Sequence, residues 1–178
     1  WQGEPVVAVV AQTRALAEDA IELIEVEFEE LPLAVNMKTA LDGDAEVIHK
    51  DDENNLCWER NVNVGDVKSA FAQADVVIEE EFQSGRHTGV TFESGTMLAD
   101  YDRGEEMLTI YQSTQAPHMK QALFAKHLDL DEHKIRIICR DVGGAFGLKA
   151  HAYGDEFATA AISKILGRPV KFVADRME

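Results

Sequence analysis

The chain has 178 residues, an apolar fraction of 46% and a formal charge of −16 at pH 7. That length suits one ordinary domain or parts of two, and a field of that sign repels phosphate backbones, which argues against nucleic acid as a partner. No apolar run approaches the roughly 20 residues that span a bilayer, and no charged start with an apolar centre marks a secretory leader, so a chain without membrane contact is expected.

The first residue is Trp1, and "EPVVAVVA" (4–11) reads at once as a buried strand of β-branched residues. The start in mid-strand, and the end just after another strand, predict a piece of a longer polypeptide. Thr13 is placed to cap a helix from about Arg14. Leu16, Ala17, Ala20, Ile21, Leu23 and Ile24 recur at steps of three and four and form its apolar stripe. In "EVEFEE" (25–30) Glu25, Glu27 and Glu29 alternate with Val26 and Phe28, the pattern of a half-buried strand. Residues 1–35 therefore read as a β-α-β unit, the tail of a small α/β domain.

Residues 36–64 are polar, rich in Asp and Asn, and lack steady periodicity. A connection of that length is uncommon inside one compact domain and predicts a boundary, with Trp58 as its anchor. A second domain, 65–178, follows. Asp66 caps "VKSAFAQA" (67–74), "VVIEEEF" (76–82) reads as a strand, and "GTMLADYD" and "EMLTIYQST" read as two strands around a glycine-containing loop. After Pro117 comes a helix with Met119, Leu123 and His127 on one side and Ala122, Phe124 and Leu128 nearby. "KIRIICR" is a strand. A helix from about Gly154 to Leu166 has Phe157, Ala161 and Ile165 as its expected core face, with Ala158, Ile162 and Leu166 beside them; Gly167 and Pro169 end it. "PVKFV" is the last strand. The fold class is thus α+β, a mixed sheet with packed helices.

Cys57 and Cys139 stand far apart with no CxxC pairing, which fits a reducing cytoplasm, and Cys139 reads as a buried thiol. The six histidines are scattered and show no zinc-site spacing.

The stretch "CRDVGGAFGLKAHAYGDEF" (139–157) carries the chemistry. Gly143, Gly144 and Gly147 permit backbone angles and close approaches that side chains forbid, and N–H groups between a strand and a helix can face an anion or a polar ring. Neither GxGxxG nor GxxxxGK[ST] matches "GGAFGLK". On residue type alone, a tight turn with Phe146 tucked into the core stands beside a ligand-facing loop.

Four segments in register resolve that choice. "GEPVVAVVAQTRALAEDAIELIEVEFEELPLAV", "FESGTMLADYD", "YQSTQAPH" and "DVGGAFGLK…GRPVKFVADRME" resemble, in order, the molybdenum-cofactor subunit of the xanthine dehydrogenase, aldehyde oxidase and aerobic carbon monoxide dehydrogenase family. The resemblance covers nearly the whole chain apart from the polar connection. It implies the end of a hammerhead-like α/β domain followed by the first part of a molybdopterin-binding domain. It also implies a molybdenum–pyranopterin cofactor, molybdopterin or its cytosine dinucleotide, in a parent enzyme that oxidises an aldehyde, a heterocycle or carbon monoxide with oxygen from water. Iron–sulfur clusters and FAD would lie on partner subunits or domains. The rest of the large subunit and a small-molecule substrate complete the expected partners, with a homodimer as a further possibility.

The resemblance places Gly143, Gly144, Ala145, Phe146 and Gly147 against the cofactor, with Phe146 and Gly147 adjacent to the molybdenum and no direct metal ligand in the chain. His87 is the nearest match by spacing to a glutamine that contacts an oxo group in relatives; a plain surface histidine is an equal reading. Gln115 is read as a pterin contact or as support for the loop, and Lys149 as a salt-bridge partner or a purely structural residue. Ala150 stands where purine-oxidising relatives have glutamate, which argues against xanthine. The family's glutamate base lies beyond residue 178, so no catalytic residue is expected here, and the isolated piece is expected to be inactive. A stand-alone binding or assembly module derived from the same domain is the competing reading.

Overall fold

The computed structural model describes residues 3–176. They form two compact units, one of residues 3–24 and 85–176 and the other of residues 25–84.

The larger unit is built on a four-stranded mixed sheet. Its strands are β1 (Thr96–Asp102), β2 (Met107–Gln112), β3 (Ile135–Ile138) and β4 (Val170–Val173), in the order β3-β2-β1-β4. β1 pairs antiparallel with β2 and with β4, whereas β2 and β3 run parallel. A short loop suffices for the β1–β2 hairpin, where Asp102 Oδ1 accepts from Gly104 N (2.7 Å) and Glu105 N (3.2 Å). A parallel neighbour instead needs a crossover. α3 (Pro117–Leu128) crosses between β2 and β3, and α4 (Gly154–Leu166) leads from β3 to β4. Both helices pack on the same sheet, and Met97, Ala99, Leu108, Ile110, Phe124, Ala125, Ile135 and Ala160 form the core between them. Phe124 and Phe157 meet edge to face at 5.0 Å.

The caps follow the sequence. Thr13 accepts from Leu16 N at the start of α1 (Arg14–Ile21), and Asp66 accepts from Ser69 N at the start of α2 (Val67–Gln73). Gly167 closes α4 in the left-handed conformation, with φ +61°, which glycine adopts without a Cβ penalty.

Three expected strands are not present. Residues 4–11, 25–30 and 76–82 belong to no ladder among the described residues. Their patterns fit a pleated surface, but a strand exists only with a hydrogen-bonded neighbour, and none of the described residues supplies one. Val6, Phe28, Ile78 and Phe82 are correspondingly exposed. Of the expected β-α-β unit only α1 forms.

α4 is turned relative to expectation, and α3 buries a residue that its apolar pattern does not mark. In α4 the buried residues are Thr159, Ala160 and Ser163; Phe157 still packs on the core, but Ile165 is exposed. Small side chains let α4 sit close to the sheet, where Ser163 Oγ accepts from Tyr101 N (3.1 Å) and reaches Ala99 O (3.1 Å) and Arg168 O (2.9 Å). In α3 the buried residues are Lys120, Phe124 and Ala125, and Met119 is exposed. An apolar-periodicity rule cannot select a lysine as a core residue; its partner Glu156, described below, makes it one.

In the smaller unit, Asn55 joins three loop segments. Its Nδ2 donates to Ala40 O (2.9 Å) and Glu46 O (2.8 Å), and its Oδ1 accepts from Ile48 N (2.8 Å). Lys38 pairs with Glu81. Trp58 is 73% exposed and anchors nothing there, contrary to expectation. Among the described residues no helix is long and apolar enough to cross a membrane.

Candidate functional site

The strand directions explain why one end of the sheet gathers the polar loops. β2, β3 and β4 run parallel, so their C-terminal ends lie together; β1 runs antiparallel, so its N-terminal end joins them. This brings together Glu93 before β1, Ser113–Gln115 after β2, the 139–153 connection after β3 and Arg176 after β4. Loops at the C-terminal ends of parallel strands are the usual ligand site of such sheets. Arg176 donates to Thr91 O and holds the segment before β1 in place.

The glycine loop is fixed at both ends. Gly143 N donates to Glu93 Oε2 (2.6 Å), and Glu93 N donates back to Gly143 O (3.3 Å). Lys149 Nζ reaches the same Glu93 oxygen at 2.6 Å and Ser113 Oγ at 3.0 Å. Ser113 Oγ in turn donates to Glu93 Oε2 at 2.6 Å. Lys149 O accepts from Thr114 Oγ1 (2.8 Å) and Gln115 N (3.3 Å). Gln115 Oε1 accepts from Gly147 N (3.1 Å), and Tyr153 Oη donates to Leu148 O (2.7 Å).

Between these ties the backbone is unusual. Gly144, Phe146 and Gly147 have φ of +97°, +47° and +93°. Positive φ is free for the glycines but costs a side-chain-bearing residue about 1–2 kcal/mol. Phe146 takes that conformation and is still 77% exposed. A tight turn with Phe146 in the core is therefore overturned: the left-handed backbone directs the ring outwards. Backbone strain without a burial gain is a feature of functional loops. The N–H groups of Gly144, Ala145 and Phe146 enter no hydrogen bond among the described residues. They are three consecutive donors on a loop held firmly on either side.

The segment before β1 packs on this loop. A Cβ on Gly89 would come within 3.0 Å of Phe146 Cβ and 3.1 Å of Leu148 Cδ1. A Cβ on Gly143 would come within 2.6 Å of Glu93 Cβ, whereas one on Gly147 would meet nothing within 4 Å. The glycines thus serve two needs, close approach to the β1 segment at Gly143 and open space at Gly147.

Of the residues singled out from the sequence, the structure brings Gly143–Gly147 and Gln115 together. Gln115 supports the loop through Gly147. His87 lies on the segment that touches the loop, two residues before Gly89, but its own side chain is exposed and enters no hydrogen bond among the described residues. Cys139 is half-buried, with its thiol donating to Thr114 O at 3.0 Å. Sequence reasoning missed Glu93 and Ser113 as members of the loop's support. A lone Glu between Phe92 and Ser94 has no periodic signature; only the glycine at Gly143, which its approach requires, hinted at a close neighbour.

Charge is distributed unevenly around the site. Burial pushes the Glu93 carboxyl up, but the Lys149, Ser113 and Gly143 donors outweigh it and hold the group down at about 2. A second pair lies behind, between α3 and α4. Lys120 Nζ is fully buried and donates to both oxygens of Glu156 at 2.8 Å, and Gln112 Nε2 donates to Glu156 as well. Burial raises the Glu156 carboxyl in spite of Lys120.

The family model for the molybdopterin cofactor-binding domain matches residues 48–178. The chain is 37% identical over 178 residues to the nicotine 6-hydroxylase large subunit of Paenarthrobacter nicotinovorans, covering 100% of this chain and 22% of that protein. It is 34% identical over 192 residues to the carbon monoxide dehydrogenase large chain of Afipia carboxidovorans, with 100% and 24% covered. The crystal structure of quinoline 2-oxidoreductase from Pseudomonas putida 86 superposes with a TM-score of 0.80 at 33% identity, over 93% of this chain and 21% of that one. The chain therefore spans less than a quarter of the length of these relatives. The match over residues 48–178, together with a mixed sheet that superposes on these oxidoreductases, makes the chain a member of the molybdopterin cofactor-binding domain family, related to the aldehyde-, heterocycle- and carbon monoxide-oxidising enzymes.

Proposed function

We propose that this chain supplies one wall of a molybdopterin pocket in a larger oxidoreductase that oxidises an aldehyde, a heterocycle or carbon monoxide with oxygen from water. The observation that carries this reading is the run of three N–H groups, Gly144 to Phe146, with no partner among the described residues, on a strained loop tied at both ends.

The residues present fit such a group. A metal–pterin complex offers oxo, carbonyl and phosphate oxygens, which need donors that do not titrate, and it needs room beside the backbone. The loop provides the donors, and the open space at Gly147 provides room. When bound, the cofactor would supply the metal centre and the electron acceptor for the oxidation. The chain's own residues hold and orient. The N–H groups of Gly144, Ala145 and Phe146 would donate to cofactor oxygens. The outward ring of Phe146 would form an apolar wall that limits water and presses a flat or small substrate into place. Gln115 keeps Gly147 in register beneath it. His87, on the segment against Phe146, is positioned in sequence to donate a further hydrogen bond to the cofactor.

The domain division at residues 35 and 65, cytoplasmic location, and iron–sulfur and flavin partners that carry the electrons away belong to the same proposal. The relatives' names as large subunits and large chains support a multi-subunit parent. The test is elemental analysis and pterin fluorescence of the full-length protein that contains this sequence, expressed in a host that makes molybdopterin. About one molybdenum and one pterin per chain is the expected result. Purified protein with neither would sink the reading.

A further inference from the structure

We infer that Glu93 and Lys149 form a positioning clamp that sets the cofactor-facing donors of the glycine loop; this rests on the functional reading above. A single oxygen, Glu93 Oε2, takes three donors at 2.6 Å each: Gly143 N, Lys149 Nζ and Ser113 Oγ. Gly143 and Lys149 flank the free N–H groups of Gly144 to Phe146, so one carboxylate oxygen ties down both ends of the segment that carries them. Lys149 is buried, whereas Glu93 is one-third exposed. A lysine there is desolvated for the sake of one charged partner, with Ser113 Oγ beside it, which a surface loop does not need for solubility.

The geometry also constrains which residues can serve. Gly143 admits no Cβ because Glu93 Cβ would lie 2.6 Å from it, so clamp and glycine are matched. Glu93 N donates back to Gly143 O, which makes the contact two-sided and fixes the peptide plane that Gly143 C=O shares with the first free donor, Gly144 N–H. Glu93 and Lys149 touch no proposed cofactor atom; they act through the backbone between them. Charge-assisted bonds of this length hold geometry better than neutral ones.

The experiment uses the full-length protein, loaded with cofactor, as wild type, Glu93→Ala, the isosteric Glu93→Gln, Lys149→Met and Ser163→Ala. Ser163 lies in the α4–sheet contact, so Ser163→Ala weakens the fold without touching the loop. Two readouts are taken: the rate of molybdenum loss during dialysis, and the paramagnetic molybdenum signal of the dithionite-reduced protein. The expected result is at least tenfold faster loss in Glu93→Ala and Lys149→Met, with a changed signal in the metal that remains. Glu93→Gln, which keeps shape and an acceptor, falls between them and wild type and reads out the clamp even where Glu93→Ala does not accumulate. Ser163→Ala has wild-type retention and signal. Clamp variants with wild-type loss rate and signal would overturn the positioning role, as would Ser163→Ala losing metal as fast as they do. Wild type without molybdenum would overturn the functional reading itself and the clamp's role with it.

Discussion

Lys149–Glu93 and Lys120–Glu156 are both lysine–glutamate pairs with a buried lysine, and their carboxyls respond in opposite directions. Glu156 has its side chain 13% exposed and faces Lys120 across the helix–helix contact, yet burial, with repulsion from Asp155, wins and its pKa rises. Glu93 is more open at 33%, takes three short donors on one oxygen, and is held at about 2. The number and quality of donors, set against desolvation, decides the sign. Lys120–Glu156 is a packing element between α3 and α4. Lys149–Glu93 is a strap on the glycine loop.

The largest effect that separates the pairs is the loss of Lys120. Lys120→Met leaves Glu156 buried without its cation and is expected to cost about 3–5 kcal/mol. Chemical denaturation checks this, and the double variant K120M/E156Q is expected to regain at least half of the loss. Equal destabilisation in the single and double variants would show that the charge is not the cause. Gly143→Ala comes next. Its Cβ drives the Glu93 carboxylate away, and a loss of about 1–3 kcal/mol is expected. The equivalent change at Gly43, where a Cβ meets nothing within 4 Å, should be nearly silent.

Acid titration sharpens the comparison further. Glu93 has a folded pKa below its ordinary 4.5, so it adds stability that is complete above that value and is lost as pH falls towards about 2. Glu156 has the opposite sign. Its raised folded pKa means the native state holds a proton that the unfolded chain releases, so its contribution is present at low pH and lost as pH rises through the raised value. Glu93→Gln should therefore flatten the stability–pH curve between 4.5 and about 2, and an unchanged acid limb would refute the strap's electrostatics. The smallest effect is at Phe146. Phe146→Gly removes the left-handed penalty and loses little burial, so stability should rise by up to about 1 kcal/mol while cofactor retention falls. A marked loss of stability would place the ring in the core after all.

The sequence made the local grammar legible and left the long-range pairings hidden. Thr13, Asp66, Pro117 and Gly167 mark helix ends through their own backbone chemistry, so those boundaries could be read directly. The hairpin, β3 and β4 were likewise visible as β-branched runs. The runs at 4–11, 25–30 and 76–82 form no strands because β-branched runs and alternation suit a pleated surface but do not supply the hydrogen-bonded neighbour it needs. The buried faces of α3 and α4 are not legible in the sequence because Lys120 and Ser163 are polar residues that become core residues only through Glu156 and the β1 backbone. The glycine loop was legible as a site from its composition. Its strap was not, because Glu93 and Lys149 are 56 residues apart and meet only where the sheet brings the ends of antiparallel and parallel strands together.

The most direct measurement is hydrogen–deuterium exchange at the amides of Gly144, Ala145 and Phe146 in the full-length protein, with and without its molybdenum cofactor. Fast exchange in the cofactor-free protein and at least tenfold slower exchange after loading, with Gly143 and Gly147 slow in both states, is the predicted result. Equal exchange of the three amides in both states would show that they do not face the cofactor.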